Sequence, residues 1–415
     1  MAHELSSSRR SLGAKFDASS HLFFALLLSA APLGVSLSIV TELRRPARQS
    51  QCTVHMSSSF LEEGGEEHAA GKRSPVMSLA TLDRTTTQPR TLRHVVTLPD
   101  GVPLSKPLVL PTSRPAPCKS EVSDVLASGG DSRVVMCASG ANAYHCPPHP
   151  VDGAIVRGSC TGSPPTEIGF RSAAEVLHRL GQAPAASAVG MEMEGVRRRL
   201  HAALKLPQGS AIVLTASGTC AEYIPLAIAR QLNPTASILS VHTAEGETGS
   251  GGVWACGGKY FNTMVPLDPG SSREEGTGVP GFHDIDLIAI PARDASGRQV
   301  DAPAALAEAL RLKAHDEERV FVLRDVVGTK TGFETDDLAA ALAPEQRERA
   351  YKVVDLCQMR KPLGDVAKHA AYGSMVLLTG SKFFQGSAFS AAVVVPVDIV
   401  TKLKEGAAAA PPLPA

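Results

Sequence analysis

Tyr351-Lys-Val-Val-Asp-Leu-Cys-Gln358 and Ser374-Met-Val-Leu-Leu-Thr-Gly-Ser-Lys-Phe-Phe-Gln-Gly386 are apolar runs that each end in polar groups. Short apolar runs bounded by turn residues read as buried strands. The first strand, over 352–355, leaves Asp355 at its C-terminal end. The second, over 374–378, is followed by Thr379, Ser381 and Lys382. A lysine with apolar residues on both sides is costly to hold there unless it is employed. A third strand, over 211–216, runs into Ser217-Gly218-Thr219 and then an apolar-periodic helix over 220–232. Strand, small polar turn and helix together make a place for a phosphate at a helix N-terminus. Thr219 and Glu222 also fit a Thr-x-x-Glu capping box. The two uses are compatible, since both draw on the free amides of the first turn.

An amine, a carboxylate and a phosphate turn are the set that pyridoxal phosphate (PLP) needs. Its aldehyde takes a lysine amine as a Schiff base, and its ring nitrogen needs a carboxylate to stay protonated and act as an electron sink. Asp355, at the end of a strand in an α/β pattern, stands where ligands of open sheets gather. Its alternative role is a helix N-cap.

These motifs resemble the fold-type-I PLP-dependent enzymes, and most closely the class V aminotransferase and cysteine desulfurase branch. The resemblance runs from about Gly129 to Pro396. It rests on Ser217-Gly218-Thr219 as the phosphate loop, Asp355 followed three residues later by Gln358, Thr379 three residues before Lys382, and Gly386, Ser387 and Ser390 after it. It implies that Lys382 is the Schiff-base lysine, that Asp355 holds the ring nitrogen, and that Gln358 bonds the phenolic oxygen. It also implies that Ser217, Gly218, Thr219, Thr379 and Ser381 surround the phosphate, and that the site lies at a homodimer interface. Asn142 and Tyr144 fall in the segment that lines the substrate side in this family.

Four departures stand out. The aromatic stacking segment of the family corresponds to Glu247-Thr-Gly-Ser-Gly251, so Thr248 takes the place over the ring. Asp325 occupies the position of an asparagine that approaches the phenolic oxygen; it would bond that oxygen only if protonated, or turn to substrate, or bond its own turn. No cysteine follows Cys357, which argues against desulfurase activity by this chain alone. Few residues follow the lysine strand, so the C-terminal small domain of the family is expected to be absent.

The 415 residues carry 41 basic and 41 acidic side chains and are 43% hydrophobic. That balance suits a globular protein of small molecules and gives no reason to expect nucleic acid as a partner. The eight cysteines are scattered, without a Cys-x-x-Cys pair, so no disulfide framework is expected. Cys137, His145, Cys146 and His149 cluster, but their spacing fits no common zinc pattern, and a substrate-facing loop is the preferred reading.

Residues 1–60 read as a targeting segment. Arg9, Arg10 and Lys15 precede an apolar stretch from Leu22, and Ser29-Ala-Ala31 offers a cleavage site. Arg44, Arg45, Arg48 and a serine run then suit a transit peptide, so delivery to a plastid or mitochondrion is expected. The alternatives are the secretory pathway, an uncleaved anchor over 21–40, or no targeting role. Residues 61–120 are rich in Pro, Thr, Ser and Gly and read as a disordered leader with a short strand at 92–98. Residues 121–190 form the N-terminal segment of the enzyme, 191–400 the PLP-binding domain, and 401–415 a low-complexity tail. Helices are expected over 168–180, 191–205, 302–313 and 336–342. Further strands are expected over 238–241, 285–290, 319–323 and 391–395.

The alternation predicts an α/β fold with a mostly parallel sheet between helix layers. The expected activity is a PLP-dependent transamination or lyase step on an amino acid or amine. The rival reading is a catalytically impaired PLP-fold protein with a binding or structural role. A nucleotide-binding α/β protein is a third, weakened by the lack of a Gly-Lys-Ser/Thr loop.

Overall fold

The computed structural model describes residues 117–156, 160–181, 184–266, 273–313 and 318–409. The expected targeting segment, most of the leader and its short strand lie outside them. Among the described residues, no helix is long and apolar enough to cross a membrane.

Helices α1 (Lys119–Leu126), α2 (Glu167–Leu180) and α3 (Ala186–Ala203) come first. Strand β1 (Ala211–Thr215) follows, then α4 (Gly218–Ala221), α5 (Tyr223–Leu232), β2 (Ile238–Glu245), α6 (Gly252–Cys256) and β3 (Ile285–Pro291). The chain continues through α7 (Ala302–Arg311), β4 (Val320–Val326), a 3₁₀ turn (Leu338–Ala341), α8 (Pro344–Arg347), β5 (Ala350–Asp355) and α9 (Leu363–Ala371). Strands β6 (Met375–Thr379) and β7 (Ala391–Val395) and helix α10 (Val397–Ala409) close it.

The strands form one sheet in the order β1-β7-β6-β5-β4-β2-β3. Only β7 runs against the rest, pairing antiparallel with both β1 and β6. The fold is therefore α/β with a mostly parallel sheet between helix layers. Parallel neighbours need crossovers, and α9 supplies the one between β5 and β6.

Both sheet faces are covered, which is why the strands read as continuous apolar runs. On one face Val213, Val322, Val353, Met375, Leu377 and Val393 pack with Leu226 and Ile228 of α5 and Ile399 and Leu403 of α10. On the other, Ile212, Leu214, Val354, Val376 and Val394 meet Val366 and Ala370 of α9, with Leu200 of α3 against them. Leu239, Val241, Phe321 and Leu323 continue that second face under Leu306 of α7. This two-residue alternation decides which strand residues reach the site.

Several elements differ from expectation: the helix expected over 220–232 is two, Gly218–Ala221 and Tyr223–Leu232, and the strands expected over 238–241 and 319–323 run on to Glu245 and Val326. The segment expected as a helix over 336–342 is a 3₁₀ turn whose cap is Asp337, bonding Ala339 N–H at 3.0 Å. The helix expected over 191–205 begins at Ala186. The tail expected over 401–415 is helical to Ala409, because Ile399, Val400 and Leu403 recur at helical spacing and bury on the sheet.

Leu377 is 0% exposed at the centre of β6. Leu377→Ala is expected to cost about 2–5 kcal/mol through the cavity it leaves, read as a lower urea midpoint at unchanged slope.

Candidate functional site

With β1, β2, β4, β5 and β6 parallel, their C-terminal ends share one edge, where ligands of such sheets bind. Asp355 ends β5 on the face of Val353, and Thr379 ends β6 on the face of Leu377. The Ser217–Thr219 turn presses onto both. A Cβ added to Gly218 would stand 2.7 Å from Cys357 Sγ and 3.3 Å from Thr379 Cγ2. Only glycine fits this close approach, and it draws the Ser217–Thr219 turn and the ends of β5 and β6 together.

Asp355 Oδ1 accepts the Cys357 N–H at 2.8 Å, which fixes the carboxylate's orientation. Burial pushes the Cys357 thiol up; Asp355 adds to that rise and Lys382 opposes it. Gln358 is buried beside them, 8% exposed. The loop after Lys382 is tied back on itself, with Gln385 N–H donating to Lys382 O at 2.9 Å and Gly386 N–H to Gly380 O at 2.8 Å.

The turn's cap is Ser217, whose Oγ accepts from Cys220 N–H at 3.2 Å. The amides of Gly218 and Thr219 head the helix and, by helix geometry, have no acceptor within it. The expected Thr219–Glu222 capping box does not form, because Glu222 turns inward to pair with Arg324 at 2.6 Å. Arg133 reaches the turn from the N-terminal segment, its Nη2 3.4 Å from Ser217 Oγ. Asp131 grips this guanidinium at 2.5–3.0 Å, and Phe389 lies 5.3 Å away, centroid to Cζ.

Other expected residues have definite places. Thr379 Oγ1 donates to Cys357 O at 2.5 Å, so its proton is committed to joining β6 to β5. Ser381 is buried and shares a hydroxyl bond of 2.9 Å with Thr161. Thr248 lies in the loop beside Thr219, whose Oγ1 is 3.8 Å from a Cβ built on the adjacent Gly249. Glu247 anchors that loop by accepting from Thr329 Oγ1 at 2.5 Å, Arg293 Nε at 3.0 Å and Thr331 Oγ1. Tyr144 is exposed, its ring against Gly162 and within electrostatic reach of Arg133. Asn142 spends both ends on its own segment, donating to Gly162 O at 2.7 Å and accepting from Tyr144 and Cys146 N–H.

Asp325 is not brought to this cluster. It lies on the Leu323 face of β4, opposite Asp355, and its Oδ1 accepts the Leu338 N–H at 3.2 Å. One residue of offset on a strand reverses the face. Burial pushes its carboxyl up to about 7. The β4 residue on the site's face is Arg324, fully buried, with Nε on Glu222 Oε2 at 2.6 Å and Nη1 on Ser240 Oγ at 2.6 Å. Sequence reading passed over it, although an arginine inside Val320-Phe-Val-Leu-Arg324 demands a buried counter-charge. Arg133 and Thr161 carried no such signal, since Ser217 lies 84 positions from the one and Ser381 220 positions from the other.

Two expectations follow. Arg324→Met leaves Glu222 buried without its partner and is expected to lose about 3–5 kcal/mol, most of it regained in the double variant with Glu222→Gln; denaturant titrations read both. Asp325 has a folded value above its unfolded one of about 3.9. The folded state thus holds the proton more tightly, and stability is greatest below about pH 4 and lost as pH rises toward 7. Asp325→Asn keeps the acceptor without the charge. Its stability advantage over the natural chain should grow between pH 4 and pH 7.5; a constant difference would contradict the burial.

No family model matches this chain, and no curated protein does. Solved structures do. It is similar to the glutamate decarboxylase domain of a diaminobutyrate-pyruvate transaminase and L-2,4-diaminobutyrate decarboxylase from Vibrio parahaemolyticus, at 15% identity over 60% of this chain and 54% of that one, TM-score 0.36. A glutamate-1-semialdehyde aminomutase from Pseudomonas aeruginosa matches at 14% identity over 58% and 49% of the two chains, TM-score 0.33. An aromatic-amino-acid aminotransferase from Burkholderia pseudomallei, covalently bound to pyridoxal phosphate, matches at 16% over 50% and 51%, TM-score 0.32. This chain spans about half the length of these structures.

Proposed function

We propose that this chain is a PLP-dependent enzyme acting on an amino acid or amine by transamination or a lyase step, within the class V aminotransferase branch. The observation that supports it is the meeting of the Ser217–Thr219 turn, Asp355 and the Lys382 loop at one sheet edge. The donor set suits the cofactor. The first-turn amides, Ser217 and Thr219 match a phosphate, with the Arg133 cation beside them. Asp355 matches a protonated ring nitrogen, Lys382 an aldehyde, and Gln358 a phenolic oxygen.

When bound, PLP supplies an electron sink for charge developing at the substrate's α carbon. The protein's own groups do the rest. Lys382 would hold the cofactor through its amine and is the base that would move a proton at the substrate's α carbon. Asp355 would keep a proton on the ring nitrogen, and its bond to Cys357 N–H fixes the carboxylate's orientation. Gly218 admits no larger side chain, so the phosphate turn and the β5 end keep one spacing. Thr379 serves by holding β5 to β6.

A homodimer belongs to the same reading. Phe383 and Phe384, next to Lys382, are 54% and 53% exposed and offer apolar surface for a second copy to cover. Delivery to an organelle by residues 1–60 completes it.

Adding PLP to the purified protein is expected to produce a visible absorbance band that Lys382→Ala abolishes. No band in the natural chain would end this reading. A band without product from a panel of amino acids and amines would leave the impaired, binding-only protein.

A further inference from the structure

Beside the Asp355–Lys382 edge runs a line of polar side chains that the chemistry above leaves without a task. Arg324, Glu222, His242 and Cys256 are 0%, 3%, 1% and 0% exposed. Arg324 holds the Glu222 carboxylate at 2.6 Å. Cys256 Sγ, a Glu222 carboxylate oxygen and a His242 ring nitrogen lie within 4.8 Å of one another. Cys256 Sγ lies 3.4 Å from His242 Nδ1, and His242 Nε2 lies 3.1 Å from Thr248 Oγ1. The line ends at half-buried Thr248, in the loop beside the Ser217–Thr219 turn.

The donor inventory gives this chain a direction. Burial pushes the Glu222 carboxyl up to about 7 against the pull of Arg324, so above that pH it is ionised and only accepts. The carboxylate stands within 4.8 Å of the Cys256 sulfur and draws the S–H proton to its side. With its one proton spent, the sulfur accepts from His242 Nδ1–H. That tautomer leaves Nε2 a bare lone pair, and Thr248 O–H donates to it. Thr248 Oγ is left with lone pairs alone for whatever stands in front of it. Burial, reinforced by Arg324, pushes His242 down to about 4, so the imidazole stays neutral and the line holds a polarity rather than carrying a proton. Glu222, His242 and Cys256 also lie close enough together to bind a metal ion. The guanidinium already seated on the carboxylate makes a cation there unfavourable.

We propose that the Glu222–Cys256–His242–Thr248 chain fixes the Thr248 hydroxyl as a hydrogen-bond acceptor toward the site, where it selects a ligand group bearing N–H. His242 and Cys256 are positioning residues. Naming that group as the substrate's amine rests on the PLP reading; the polarity of the chain does not.

The test has two arms. In the ¹⁵N-labelled natural protein at pH 8, with His242 assigned by the His242→Gln difference, its ring should show the proton on Nδ1. Cys256→Ala should release the preference and give mixed tautomers. In the PLP-loaded protein, Thr248→Val should raise the KM for the amine substrate about tenfold, the worth of one hydrogen bond of about 1.4 kcal/mol. Thr248→Ser should restore it, with kcat little changed in both. A proton on Nε2 in the natural protein overturns the proposal, as does a His242 shift on adding zinc at equimolar concentration. Equal behaviour of the Val and Ser variants overturns the assigned ligand. A chain that takes up no PLP but shows the Nδ1 proton fails the enzyme reading and leaves the polarity standing.

Discussion

Arg324 keeps its charge in the middle of a sheet, out of reach of water, so Glu222 has to be where it is. That pairing organises the site. Glu222 follows the Ser217–Thr219 turn by three residues, so holding it against β4 also holds the turn against the strand ends. Arg324 NH groups reach Ser240 on β2 and the Glu222 backbone carbonyl as well. One guanidinium thus joins β4, β2 and the start of α5. The arrangement carries a desolvation cost that an apolar triplet would not, and what it supplies is a fixed relation between three elements that all border the cluster.

The N-terminal segment is the second brace. Asp131 is fully buried and aligns Arg133 toward Ser217, with the rings of Phe261 and Phe389 at 5.9 and 5.3 Å from the guanidinium carbon. Thr161 bonds Ser381 and accepts from Phe389 N–H. Residues that precede the sheet therefore form part of the wall around Lys382, while Asn142 stiffens the loop that carries Tyr144.

Most of the sheet was legible because buried strands announce themselves: 211–216, 285–290 and 391–395 were read nearly as they stand, since β-branched and apolar runs between turns allow little else. The turn, Asp355 and Lys382 were legible because polar groups at the ends of such runs are costly without a use. Orientation was not. Asp325 and Arg324 are neighbours, and only the register of β4 against β5, pairing Val326 with Asp355, says which one faces the cluster. Nor does local pattern reveal that Glu222 leaves its cap for a partner 102 positions away. The last helix was hidden by its alanine-rich end, although Ile399 and Leu403 carry its burial.

The bond between Thr161 and Ser381 spans 220 positions, and that from Gln385 Nε2 to Val156 O spans 229. Closing such long loops is entropically late and slow. On the ribosome, the lysine loop has nothing to lean on until the last strand has emerged, while the first helices have long been waiting. The loop around Lys382 is thus among the last parts of the molecule to set, and a chain that stops short of β7 would have most of its sheet and no settled place for Lys382.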